Sequence, residues 1–213
     1  MNSIINYFSS SIDWCETNFV YNNFIAEFWN SFTSLAISGF GIVGAYNHPE
    51  IDTLYYSLVP IGITSFYFHA SLSLLGQLLD EFSIIFTIIL SLHYINSRIY
   101  KFCDTRLLSL VNISQIFLMF TWPDYNRLIF FIYGFYFWQF LRRVKLKLPP
   151  DDIYYINVSE YLFVLSVTCW MIDYFFCIKV INFHALWHVL IGAMAYYLFK
   201  AFYILSHCSS LIN

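Results

Sequence analysis

Apolar residues fill seven long runs of the chain, and polar residues gather in the short stretches between them. A helix needs about 20 apolar residues to cross a hydrocarbon layer about 30 Å thick, so runs of this length read as membrane-crossing helices. They place helices at residues 24–46, 54–74, 77–96, 107–122, 125–141, 156–177 and 183–205. The breaks carry turn chemistry: Asn47-His48-Pro49-Glu50 after the first run, a tight turn at Gly76 after the second, Trp122-Pro123-Asp124 after the fourth, and Pro149-Pro150 after the fifth. Proline has no N–H and a fixed φ, so the proline pair stops a helix. Gly39, Gly41 and Gly44 offer small positions for close helix contact in the first run. No internal repeat or low-complexity tract divides the chain. The expected fold is all-α: a polytopic membrane protein with one domain over residues 1–213, a seven-transmembrane-helix bundle.

Composition agrees with that pattern. Hydrophobic residues make up 60% of the chain and charged residues 11%, against about 25% charged in soluble domains, and the mean hydropathy is +0.64. Seven crossings leave no room for a separate soluble domain. The net charge of −3 is small and no basic or acidic block suggests nucleic acid or an acidic tail, which argues against nucleic acid as a partner. None of the five Cys forms a C-x-x-C pair, so neither a thiolate zinc site nor a disulfide-rich scaffold is expected. Residues Met1 to Ser11 are polar and lack Lys or Arg, unlike a cleaved signal peptide.

Charge also orients the bundle. Arg98, Lys101, Arg106, Arg142, Arg143, Lys145, Lys147 and Lys200 fall on one side of the expected membrane, eight of the ten basic residues, leaving Arg127 and Lys179 on the other. Positive charge collects on the cytosolic side. The N-terminus is therefore expected in the lumen or exterior and the C-terminus in the cytosol.

On that topology several polar features meet near the lumenal face: Asp13 to Glu27, Ser65 and His69, Asp80, and His184 with His188. His184 and His188 lie four apart, so both imidazoles project from one helix face and can share a metal ion. His69 can join them. Three imidazoles plus water make an open tetrahedral zinc site, in which the ion lowers the pKa of bound water and polarises a carbonyl. Asp80 is a candidate to accept the proton of that water, and Ser65, one turn before His69, to donate a hydrogen bond to an oxyanion. His48, His93 and His207 read as packing residues. The oxygen-rich run from Asp13 to Asn18 reads either as a solvated loop or as a set of calcium ligands.

Five motifs carry a resemblance to a known family: Ser11-Ile12-Asp13-Trp14-Cys15-Glu16-x-Asn18, Ile25-Ala26-Glu27-Phe28-Trp29-Asn30-Ser31, Ser65-x-x-x-His69-Ala70, Gly76-Gln77-Leu78-Leu79-Asp80-Glu81 and His184-Ala185-Leu186-Trp187-His188. In their order and spacing the chain resembles the alkaline ceramidases, seven-helix membrane amidases, over nearly its whole length. The resemblance implies zinc at His69, His184 and His188, a catalytic Ser65 and Asp80, and calcium at Asp13, Trp14 through its carbonyl, Glu16, Asn18 and Glu27. It implies zinc-dependent hydrolysis of the ceramide amide by water, within the bilayer, to a sphingoid base and a free fatty acid. A location in the endoplasmic reticulum or Golgi follows from the same resemblance. Cys15 and Cys177 both fall on the expected lumenal side, where oxidation is permitted, so a disulfide between them is open. Residues 98–150 match the family only in hydropathy, and the chain is shorter than its usual members in loops and tail.

Other classes compete with this reading. An adiponectin-receptor-like protein also carries a three-histidine zinc centre in seven helices, and a related lipid-remodelling hydrolase would share the chemistry. The Asp13 to Glu27 block and the Gly76 to Asp80 run favour the ceramidase. A transporter with structural zinc lacks support from repeats or helices broken at midplane.

Overall fold

The structure is a computed structural model in which residues 9–122, 125–145 and 153–207 are described. Regular structure among them is helical: α1 Phe28–Asn47, α2 Asp52–Tyr56, α3 Leu58–Ser71, α4 Leu74–Tyr94, α5 Thr105–Thr121, α6 Asn126–Lys145, α7 Tyr154–Phe176 and α8 Phe183–His207. A single turn over Pro49–Ile51 precedes α2, and a widened turn over Ile95–Ile99 extends α4. One isolated antiparallel bridge joins Ser9 to Ser73. The turn at Pro123-Asp124, the connection through Pro149-Pro150 and the first residues of the polar N-terminus lie outside the described residues.

The long runs became helices, with three shifts that have local causes. The first helix begins at Phe28 rather than residue 24. Glu27 is extended (φ −103, ψ 92), and the Ala26 and Glu27 N–H groups donate to the Ala70 and His69 carbonyls, each at 3.0 Å, which keeps them out of the helix. The second run is divided into α2 and α3. Pro60 has no N–H to return to Tyr56, so the helical ladder is interrupted there. The expected tight turn at Gly76 is corrected: the chain reverses at Leu72, which takes the left-handed conformation (φ 46), and at Ser73. Ser73 Oγ then caps α4 by accepting the Gly76 N–H at 3.0 Å. Gly76 lies in the first turn of α4, where an added Cβ would meet Phe68 Cα at 2.8 Å.

Helix α1 lies against α3 and α8, α3 against α4, and α7 against α8, while α5 and α6 attach to α4 and α7. Small residues set the closest approach. A Cβ on Gly62 of α3 would fall 2.3 Å from Ser38 Oγ and 2.8 Å from the Ser34 carbonyl of α1. Of the three glycines expected to serve helix contact in α1, Gly41 meets Leu58 and Gly44 meets the Tyr55 ring, whereas Gly39 faces open space.

The apolar core, which includes Tyr55, Leu58, Ile95, Ile99, Phe199 and Phe202, occupies the end of the helices where α1, α4 and α8 finish. The polar groups occupy the other end, where those helices begin. Among the described residues, three helices are long and apolar enough to cross a membrane: Leu74–Ile99, Tyr154–Phe176 and Phe183–His207. Helix α1 turns Asn30, Ser31, Ser34 and Ser38 inward, which lowers its mean hydropathy, while Phe32, Leu35, Ile42 and Val43 face outward. A polar interior behind an apolar exterior fits a membrane protein.

Candidate metal centre

Helix α3 carries Ser65 and His69 one turn apart, α8 carries His184 and His188 one turn apart, and the helix reversal at Leu72–Ser73 brings Asp80 of α4 to the same depth. The three histidines converge. One ligand nitrogen from each lies within 4.8 Å of the other two, and all three side chains are at most 1% exposed. Burial of three imidazoles around one point is costly unless they are neutral and share a ligand, which is the donor set of an open zinc site.

Each ring has its own support. His69 Nδ1 meets Glu27 Oε2 at 2.5 Å, a carboxylate–histidine contact of the kind that orients ligands and raises their basicity. His188 Nδ1 meets Thr33 Oγ1 at 3.1 Å. His184 stacks on the Trp14 indole, with ring centroids 3.7 Å apart, and its backbone N–H donates to Asp173 Oδ1 at 3.2 Å. Its side-chain Nδ1 is buried with no hydrogen-bond partner. That orphaned nitrogen is what a metal would satisfy, so the residues fit the ion.

Ser65 Oγ stands 3.5 Å from His188 Nε2 and within hydrogen-bonding reach of the Asp80 carboxyl. Asp80 is buried, and its Oδ1 has no partner. A hydroxyl, a carboxyl with a vacant oxygen and three nitrogen donors therefore face one another. This set can activate water and hold an oxyanion.

The N-terminal segment is tied to the centre residue by residue. Glu27 Oε1 accepts the Trp14 N–H at 2.9 Å, and Asn30 Nδ2 donates to Glu27 Oε2 at 3.0 Å. Glu16 caps α1 from outside: its two oxygens accept the Trp29 and Asn30 N–H groups at 2.7 and 2.8 Å, and Asn182 Nδ2 donates to it at 3.0 Å. Asn182 in turn caps α8 by accepting the Ala185 N–H at 3.0 Å. One carboxylate thus joins the N-termini of α1 and α8. Asn18 Nδ2 donates to Asp13 Oδ1 at 3.2 Å, the Asp13 and Glu27 carboxyls are neighbours, and Asn18 Oδ1 is buried without a partner. Two adjacent carboxyls and an orphaned amide oxygen fit a hard cation, whereas Glu16 is turned toward the helix ends. A disulfide joins Cys15 to Cys177, which are 162 residues apart in sequence. An open cavity of about 500 Å³ beside it is lined by Glu16, Trp29, Asp173, Asn182 and Leu186. The histidines do not line this cavity.

The histidines that were read as packing residues have other neighbours: His48 stacks on Tyr55, His93 meets Asn112 and His207 meets the Tyr203 carbonyl. Sequence reasoning missed Thr33 and Asp173, and it held Asn30 only as a motif residue without a role. Asp173 had a signal, a carboxylate inside an apolar run; Thr33 had none beyond its inward spacing.

The sequence profile of the ceramidase family matches residues 6–212. The chain is 32% identical to mouse alkaline ceramidase 1 over 214 residues, covering 90% of this chain and 78% of that protein. It is 31% identical to the alkaline ceramidase of Drosophila melanogaster (92% and 78% covered) and 30% identical to human alkaline ceramidase 1 (90% and 81% covered). A match over almost the whole chain, with the motif residues gathered at one buried centre, shows that this chain belongs to the ceramidase family.

Proposed function

We propose that the chain is a zinc-dependent amidase that hydrolyses ceramide to a sphingoid base and a free fatty acid. The observation that carries this reading is the convergence of His69, His184 and His188 within 4.8 Å, with Ser65 and Asp80 on the same side. The names of the relatives supply the substrate. A zinc ion held by the three imidazoles would supply Lewis acidity and a more acidic water. Asp80 accepts the proton of the attacking water and, as the C–N bond breaks, returns it to the leaving amine. Ser65 donates a hydrogen bond to the oxygen of the former carbonyl as negative charge develops there. The products are a carboxylic acid and an amine, so water and amide are fully accounted for.

Calcium is the second ion of the proposal. Asp13, Glu16, Asn18, Glu27 and the Trp14 carbonyl are its ligands, with Glu16 binding through lone pairs left over from its cap of α1. Support comes from the adjacent Asp13 and Glu27 carboxyls and the unpartnered Asn18 Oδ1. Because Glu27 also holds His69, calcium binding would stiffen the zinc ligand. The proposed setting is a single seven-crossing domain in the endoplasmic reticulum or Golgi membrane, with the N-terminus and the Cys15–Cys177 pair lumenal and the C-terminus cytosolic.

The test is turnover of ceramide by the purified chain, with sphingoid base followed by mass spectrometry, for wild type and for Asp80→Asn. Proton transfer contributes about 10²–10⁴-fold, so Asp80→Asn should lose kcat by that order with little change in KM. A variant that retained wild-type kcat would remove Asp80 from the chemistry.

A further inference from the structure

We propose that Thr33 is a positioning residue that fixes which nitrogen of His188 carries the proton. The proposal rests on the zinc reading above and adds a partner that the motif residues do not contain.

The Thr33 hydroxyl has one proton to donate. Its Oγ1 is 2.7 Å from the Trp29 carbonyl, one helical turn back in α1, the usual partner of a helical threonine hydroxyl. With the proton committed to that carbonyl, Oγ1 meets His188 Nδ1 at 3.1 Å as an acceptor. The neutral ring must then carry its hydrogen on Nδ1. Nε2 is left with a free lone pair, and Nε2 is the nitrogen that faces Ser65 Oγ at 3.5 Å. The atom turned toward the centre is therefore held in the form that can bind a metal.

The hydroxyl does for His188 what the Glu27 carboxylate does for His69, but as a neutral acceptor. The anchor is rigid because the Trp29 and Asn30 N–H groups, at the start of the same helix, are held by Glu16. Thr33 thereby connects the N-terminal loop to α8 across the first turns of α1.

Two readouts test this on the full-length protein in detergent. The first is zinc affinity, measured by competition with a chromophoric chelator for wild type, Thr33→Val and Thr33→Ser. Valine keeps the shape and removes the acceptor. Thr33→Val should bind zinc about 10–100-fold more weakly, and Thr33→Ser should stay near wild type. The second is nitrogen NMR of the histidine rings in zinc-free protein. Wild-type His188 should show the Nδ1–H tautomer, and Thr33→Val a mixture.

Equal zinc affinity for Thr33→Val and a zinc-binding wild type would overturn the role of Thr33 and leave the zinc reading standing. A wild type that takes up no zinc would defeat both. If Thr33→Val does not fold, the tautomer in wild type still decides: a proton on Nε2 overturns the proposal.

Discussion

His69, His184 and His188 are held by three different kinds of group: a carboxylate, an indole face with a backbone hydrogen bond, and a hydroxyl. Glu27→Gln keeps the shape but removes the charge that faces His69. We expect zinc affinity to fall about 10–100-fold and calcium dependence of activity to weaken; unchanged values for both would separate Glu27 from the two ions. Asp173→Ala leaves the Cys15 and His184 N–H groups without their acceptor. Each unpaired buried donor costs about 1–3 kcal/mol, so the melting temperature should drop, and calorimetry or a fluorescence melt in detergent would read it. The histidine triad was legible because two i,i+4 pairs and a charge-derived topology are properties of the chain itself. Their supports were legible only in part: Glu27 and Trp14 stand in the motifs, whereas Thr33 reaches His188 only through the packing of α1 on α8, and a threonine in an apolar run carries no mark of its target.

At the level of elements, the long helices among the described residues fall on apolar runs of the sequence, and their bounds depart from those runs where a neighbouring element sets the boundary. Residues 24–27 are apolar enough to continue a helix, yet two of their N–H groups are taken by the end of α3. The reversal at Leu72 was invisible because a left-handed leucine has no sequence signature, whereas Gly76 advertised a turn and instead serves close packing. Gly62 is the corresponding position between α1 and α3. Gly62→Val would force Cβ into Ser38 and the Ser34 carbonyl, and overpacking of this kind costs about 1–3 kcal/mol. We expect a lower melting temperature together with lost activity, since α1 and α3 carry Thr33, Ser65 and His69. The Cys15–Cys177 bond holds the N-terminal loop to the end of α7. Cys15→Ser should destabilise the protein by about 2–4 kcal/mol, a loss that reductant should reproduce in wild type.

Across the whole molecule, the buried histidine cluster lies at one end of the helices and the apolar core cluster at the other. The proposed orientation puts the chemistry on the lumenal side, and the glycosylation motif Asn157-Val158-Ser159, near the start of α7, on the cytosolic side. That asparagine should remain bare when the protein is expressed in a glycosylating cell; a glycan there would invert the topology. The apolar exterior of α5, with Leu107, Leu110, Val111, Ile113 and Phe117 exposed, fits contact with lipid chains rather than water. The central claim, a zinc-bound centre that cleaves ceramide, is tested most directly by measuring zinc content and sphingoid-base release together, for purified wild type and His188→Ala. We expect one zinc per wild-type chain with ceramide turnover, and loss of both in a His188→Ala protein that still elutes as a folded species. Wild type that holds zinc but releases no sphingoid base from any ceramide, or His188→Ala that turns over ceramide at the wild-type rate, would contradict it.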